Sequence, residues 1–214
     1  MKALLFDFDG TLVNTAIDMV NSLQELASKH RIEGEFAVDT YKEYVSQGAL
    51  GLIKSIFTER CDATYESLKQ QYLDIYQQHF IRSNHLFSGM DKVLHHLQTQ
   101  QLHWGIVTNK PSWLARPIVE GMSELPDNVL LLCADEIGVP KPDPTGLLQA
   151  AENLGLDPSD CYYLGDAESD VVAAHRAGMK ALIAAWGYLP SGVDIQQWQA
   201  DRIVNSPQEL IELF

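Results

Sequence analysis

The sequence predicts an α/β protein: a parallel sheet flanked by helices, with a small α-helical domain inserted after the first strand. Three observations carry this prediction. Short apolar runs recur along the chain with helical patterns between them, the alternation that builds a parallel sheet. The stretch from residue 15 to residue 85 holds helical spacing and no convincing strand. Polar clusters stand at the ends of the apolar runs, where open α/β sheets bind their ligands.

The first element is Leu4-Leu5-Phe6, a buried-strand pattern that ends in Asp7-Phe8-Asp9-Gly10-Thr11. After Thr15 the spacing becomes helical: Ile17, Val20 and Leu23, with Leu26 and Ala27 a turn on, fall three and four apart. Helical patterns dominate to about His79 and include Thr64 to Phe80, with Tyr65, Leu68, Tyr72, Leu73, Ile75 and Tyr76. Gly48-Ala49-Leu50-Gly51 reads as a flexible turn interrupting them. From Phe87 a helix through Val93, Leu94 and Leu97 leads into a strand over His103 to Thr108. Strand-like runs follow at Val129 to Cys133, Cys161 to Leu164 and Lys180 to Ala184, each set off by a helical pattern. The expected division is a core of residues 1–14 and 86–214 and an inserted helical domain of residues 15–85.

Composition narrows the function. Fifteen basic and 29 acidic residues among 214 give a formal charge of −14. That argues against nucleic acid or an anionic membrane as the main partner. An anionic substrate must then be drawn in by a local device: a metal ion, a lysine or backbone amides. The three cysteines, Cys61, Cys133 and Cys161, form no C-x-x-C and fit a reducing cytoplasm. Six residues beyond them stand Ser67, Val139 and Ala167, not the arginine that a thiol-based phosphatase loop needs. Asp7 breaks the N-terminal apolar run too early for a signal peptide, and no run approaches membrane-spanning length. The expected state is a monomer or homodimer.

Four clusters carry the chemistry. Asp7 and Asp9 lie two apart, and period-2 geometry would aim both side chains the same way, with Gly10 allowing a sharp turn after them. Two acids so close repel unless a cation lies between them or one is protonated. They suit a hard metal ion, or a division into nucleophile and acid; the alternative is a turn with two solvated aspartates. Thr108-Asn109-Lys110 ends the second strand, Lys141-Pro142-Asp143-Pro144 follows the third, and Gly165-Asp166-Ala167-Glu168-Ser169-Asp170 ends the fourth. Each has a plainer role open to it. Thr108-Asn109 can cap a helix beginning near Ser112, Lys141 can be a solvated loop lysine, and Asp166 and Asp170 can complement a helix dipole. Their order at successive strand ends favours convergence on one crevice. Magnesium takes oxygen ligands from one or two carboxylates, while a hydroxyl and a lysine can grip phosphoryl oxygens.

Asp7-x-Asp9-Gly10-Thr11, then Thr108, Lys141-Pro142 and Gly165-Asp166-x-x-x-Asp170, resembles the four ordered motifs of the haloacid dehalogenase-like hydrolase superfamily. The likeness runs essentially end to end, includes the helical insertion, and is closest to the phosphoglycolate phosphatase-like branch. Trp104 to Pro111, Leu147 to Pro158 and the tail around Trp198 are similar to bacterial N-acetylmuramic acid 6-phosphate phosphatases. The resemblance implies a Rossmann-like core, a helical cap and a magnesium-dependent phosphatase for a small phosphorylated metabolite. It implies Asp7 as nucleophile, Asp9 as proton shuttle, and Mg2+ on the Asp7 carboxylate, the Asp9 carbonyl and Asp166. Thr108 and Lys141 would hold phosphoryl oxygens, helped by amides near Gly10 and Asn109. Asp170 would orient a metal-bound water or Lys141. The Ser46-Gln47-Gly48-Ala49 turn would face the phosphate, with Gln47 and Gly48 touching the leaving group, unless it is a plain helix-helix turn. Cap closure would exclude water. Where many relatives carry Asp-Ser or Asp-Thr, this chain has Asn14-Thr15, which bears on hydrogen bonding at the hinge.

Histidines and tryptophans read as structural. His95 and His96 lack metal-site spacing, Trp104 and Trp113 suit the core or the crevice wall, and Trp186 and Trp198 suit core or rim. Two rival activities remain open. A phosphosugar mutase would use Asp7 and Asp9 but return the phosphoryl group to a sugar. A non-catalytic phospho-acceptor signalling domain also combines acids, threonine and lysine, although the helical insertion and Asp9 disfavour it. A dehalogenase needs neither Asp9 nor Asp166.

Overall fold

The computed structural model describes residues 1–57, 64–79 and 85–214; Cys61 and Phe80 lie outside them. β1 (Ala3–Phe6) is buried along its whole length. β2 (Val13–Asn14) follows a tight turn, and then come α1 (Ala16–Lys29), α2 (Val38–Val45), α3 (Gly48–Ile56) and α4 (Tyr65–His79). β3 (His85–Leu86) returns the chain, followed by α5 (Met90–Thr99), β4 (His103–Thr108), α6 (Ser112–Gly121), β5 (Leu130–Cys133), α7 (Ala134–Ile137) and α8 (Thr145–Asn153). β6 (Cys161–Gly165), α9 (Glu168–Ala177), β7 (Lys180–Ala184), β8 (Arg202–Val204) and α10 (Pro207–Leu213) complete the chain.

Six strands form one parallel sheet in the order β5-β4-β1-β6-β7-β8. Alternation along β1 divides the core in two. Leu4 and Phe6 join Ile106, Leu164 and Leu182 on one face, against Val93 of α5 and Leu114 of α6. Ala3 and Leu5 join Val107, Tyr163 and Ile183 on the other, against Leu147 of α8 and Val171 of α9. With helices on both faces, the central strands can be apolar throughout, as β1 is. Truncating Phe6 to alanine would open a cavity at a cost of about 3–5 kcal/mol. Among the described residues no helix is long and apolar enough to cross a membrane.

The α/β core follows the sequence reading, with three local differences. β8 was not expected; at three residues it is too short to show a period. β2 and β3 were not expected either, and they pair antiparallel, Val13 with Leu86 and Asn14 with His85, at the two ends of the helical block. The Gly48-to-Gly51 turn is instead the first turn of α3, and the break lies before it at Ser46 and Gln47. A Cβ at Gly51 would strike Gln47, so this glycine lets the two helices meet closely. The buried stripe of α1 runs through Ala16, Met19, Val20, Leu23, Leu26 and Ala27, leaving Ile17 exposed.

Candidate active site

The C-terminal ends of the parallel strands meet the helical block in a cavity of about 400 Å³. Its lining brings together Asp7, Asp9, Thr108, Asn109, Lys141, Asp166 and Asp170 from the core with Gln47 and Gly48 from the inserted helices.

Asp7 follows β1, and its N–H still donates to Leu164 O at 2.8 Å, which holds the residue in line with the sheet. Its carboxylate accepts from Lys141 Nζ at 2.7 Å. The chain then turns tightly, with Gly10 N–H donating to Val13 O and Val13 N–H to Phe8 O. Gly10 adopts φ +82°, and a Cβ there would collide with the Asp166 carboxylate. No other residue fits that position without displacing an acid of the site. This turn also separates the two aspartates. Asp9 Oδ1 accepts from Thr15 Oγ1 at 2.6 Å and from Lys110 Nζ at 3.0 Å, away from the Lys141 partner of Asp7.

Lys141 is buried beneath the cavity. Its ammonium contacts Asp7, lies 2.7 Å from Asp170 Oδ1, and donates to Tyr163 Oη at 2.6 Å. Tyr163 in turn donates to Val107 O at 2.7 Å. Burial pulls the Lys141 pKa down, but Asp170 and Asp7 outweigh it and hold the ammonium well above its usual value. Asn109 fixes the backbone from which Lys141 projects. Its Oδ1 accepts from Lys141 N at 2.7 Å and its Nδ2 donates to Lys141 O at 3.1 Å.

Asp166 follows β6 and accepts from Tyr188 N at 2.7 Å. It precedes α9, whereas Asp170 lies in the first turn of that helix and accepts from Ala167 N at 2.9 Å. A Cβ at Gly165 would collide with Asp170, so glycine at the strand end lets this acid lie against the sheet. Carboxylate oxygens of Asp7, Asp166 and Asp170 all lie within 4.8 Å of one another. Burial pushes the Asp7 carboxyl up to about 6; Lys141 opposes the rise, while Asp170 and Asp9 add to it. Burial, then Asp7 and Asp170, likewise raise Asp166 well above the ordinary carboxylate range. Three buried carboxylates thus share one ammonium and lack positive charge. An all-oxygen donor set of this kind fits a hard divalent cation such as Mg2+.

Thr108 is buried, and its Oγ1 accepts from Lys110 N at 3.1 Å, which leaves the hydroxyl proton for another partner. It does not cap α6. That role falls to Asp135, which accepts from both the N–H and the hydroxyl of Ser112.

Lys110 has a place in the site that the sequence does not announce. It is buried, pairs with Asp9, and donates to Tyr76 Oη of α4 at 3.2 Å. Its ammonium also lies 4.9 Å from the Tyr76 ring centroid, a cation–π distance. Nothing in its local sequence distinguishes it from a surface lysine. Asn14 accepts from Tyr188 Oη at 2.9 Å, and that hydroxyl accepts from Ala16 N, so Tyr188 links Asn14 to the first turn of α1. Trp113 is 43% exposed and does not line the cavity, contrary to expectation; it stands in the first turn of α6 and points away from the core. Trp104 packs edge-on to Phe6, and Trp186 donates to Thr11 O at 3.0 Å.

Known proteins are similar to this chain in sequence and in fold. The family model for haloacid dehalogenase-like hydrolases matches residues 4–184. An N-acetylmuramic acid 6-phosphate phosphatase of Pseudomonas aeruginosa is 35% identical, over 100% of this chain and 95% of its own length. A phosphoglycolate phosphatase of Xanthomonas campestris pv. campestris is 34% identical, over 99% of this chain and 95% of its own. A solved haloacid dehalogenase-like hydrolase from Streptococcus pneumoniae superposes with a TM-score of 0.84 at 20% identity, covering 100% of this chain and 98% of that one, and so shares the fold. The chain belongs to the haloacid dehalogenase-like hydrolase family.

Proposed function

We propose that the chain is a magnesium-dependent phosphomonoesterase. Its substrate would be a small phosphorylated metabolite, phosphoglycolate or a sugar phosphate such as N-acetylmuramic acid 6-phosphate. One observation carries the reading. Asp7, buried and ion-paired to Lys141, shares a crevice with Asp9, which Lys110 and Thr15 hold separately. That is an attacking carboxylate beside an independently positioned proton carrier. The names of the relatives from Pseudomonas aeruginosa and Xanthomonas campestris support it.

In this reading an Asp7 oxygen attacks phosphorus and the bond from phosphorus to the ester oxygen breaks, leaving an aspartyl-phosphate. Asp9 gives its proton to the departing alkoxide. It then takes a proton from the water that attacks the aspartyl-phosphate, which releases inorganic phosphate and restores Asp7. Lys141, the Thr108 hydroxyl and the backbone amides near Gly10 and Asn109 hold the non-bridging oxygens. The Asn109 side chain, engaged with Lys141, acts by fixing that lysine. The Asp7 and Asp166 carboxylates and the Asp9 carbonyl would hold magnesium, with Asp170 beside them orienting Lys141. Bound there, the ion neutralises charge between an anionic nucleophile and an anionic substrate.

Residues 15–85 act as a cap over a core of residues 1–14 and 86–214, with Gln47 and Gly48 against the leaving group. The test is phosphate release across a metabolite panel, with and without magnesium. The reading expects a marked preference among esters and loss of activity in chelator; equal rates in chelator, or an isomerised sugar phosphate in place of free phosphate, would sink it.

A further inference from the structure

Three lysines line the crevice, and phosphoryl transfer uses two of them. Lys141 is ion-paired with Asp7 and Asp170, and Lys110 with Asp9. Among the described residues the third, Lys69, has no hydrogen bond and no ion pair. It is half-buried on α4, in a chain whose formal charge is −14. Acids abound on this protein, yet none among the described residues neutralises this lysine at the crevice wall.

Its position on the helix says how far from the chemistry it acts. Lys69, Tyr72, Leu73 and Tyr76 all line the crevice, at the spacing of a single helix face. Tyr76 marks the inner end of that face, because its hydroxyl accepts from Lys110, the partner of Asp9. Lys69 lies two turns further out, roughly 10 Å along the helix axis at about 1.5 Å per residue. Between them Leu73 presents aliphatic surface, backed by the buried ring of Tyr72. The wall therefore reads, from the acid pair outward, as cation, apolar surface, cation.

Resting on the phosphatase reading above, we propose that Lys69 determines specificity by binding a carboxylate on the leaving group. The substrate class is then a sugar phosphate that carries a carboxylate across the ring from its phosphate. In phosphoglycolate a single methylene separates carboxylate from phosphate ester, too short for this span. A pyranose ring bridges it and lays an apolar face on Leu73. An unpaired ammonium at a crevice wall gains most from such a group, since a charge-assisted hydrogen bond there replaces only water.

The experiment compares kcat/KM for N-acetylmuramic acid 6-phosphate with that for N-acetylglucosamine 6-phosphate, which lacks the lactyl ether and with it the carboxylate. It uses the wild type, Lys69→Met, Lys69→Arg and Lys54→Met, the last an exposed cap lysine outside the crevice. The wild type should favour the carboxylate sugar by about tenfold to a hundredfold. Lys69→Met should bring that ratio close to one, Lys69→Arg should keep most of it, and Lys54→Met should keep all of it. Equal rates on both sugars in the wild type, an undiminished ratio in Lys69→Met, or a loss in Lys69→Met that is the same for both sugars overturns the proposal and leaves the phosphatase reading standing. So does a wild type that prefers phosphoglycolate to both sugars. A wild type that releases phosphate from no ester overturns the phosphatase reading, and this proposal with it.

Discussion

Lys110 places its ammonium 3.0 Å from the Asp9 carboxylate, joining a β4 loop to the turn after β1 across 101 residues of sequence. The same ammonium reaches Tyr76 of α4, so one buried cation ties the proposed proton carrier to the helices that cover it. The Thr15 hydroxyl, standing where α1 begins, donates to the same Asp9 oxygen in place of capping its helix. Asp9 is therefore held from the loop after β4, from the start of α1 and, through Lys110, from α4.

Removing that cation should disturb proton transfer more than binding. Lys110→Met leaves Asp9 with Thr15 as its side-chain partner and cuts the link to Tyr76. We expect kcat to fall by about tenfold to a hundredfold with a smaller change in KM, because a misplaced general acid forfeits part of a contribution of about 10²–10⁴. Lys110→Arg should recover part of the loss. Steady-state kinetics on both variants checks this, and an unchanged kcat in Lys110→Met would show that Thr15 alone positions the acid.

Asn109→Ala tests the clasp on Lys141. Both lost hydrogen bonds go to the Lys141 backbone, and each is worth about 1 kcal/mol. Inhibition by inorganic phosphate should weaken by about tenfold or more, with the fold retained by circular dichroism. Inhibition as tight as in the wild type would mean that packing alone places the lysine.

The acid cluster predicts a pH-dependent response to magnesium. Asp7 titrates near 6 in the folded protein against 3.8 for a free aspartate. Across that window the folded state holds a proton that the unfolded chain has released, so the metal-free protein loses stability as pH rises from about 4 to 6. A bound divalent ion offsets the buried carboxylate charge. Thermal denaturation should therefore show a larger magnesium-induced rise in Tm at pH 7.5 than at pH 5. Equal rises at both values would place the ion away from Asp7.

Much of this was legible because it rests on strong local signals. Leu4 to Phe6 is apolar on both faces and could only be a central strand, and the acids and lysine at the strand ends follow from a parallel sheet. The α4 stripe of Leu68, Tyr72, Ile75 and Tyr76 is long and periodic, and those residues are buried. What escaped was short or non-local. Val13–Asn14 and His85–Leu86 are too brief to show alternation, and their pairing joins distant segments. Gly48 and Gly51 read as a break because glycine is poor in helices, but Gly51 lies in α3 packed closely against Gln47. Lys110 carries no signal until Asp9 and Tyr76 are brought to it by the fold.

The central claim is that Asp7 is phosphorylated, and trapping tests it most directly. In Asp9→Asn, p-nitrophenyl phosphate can still transfer its phosphoryl group, because its leaving group needs no proton, but the water step lacks its base. Intact-protein mass spectrometry after mixing should show an adduct of about 80 Da, with peptide mapping placing it on Asp7, and one equivalent of p-nitrophenolate released in a burst. An adduct on another residue, or steady turnover in this variant with no adduct at all, would contradict the account.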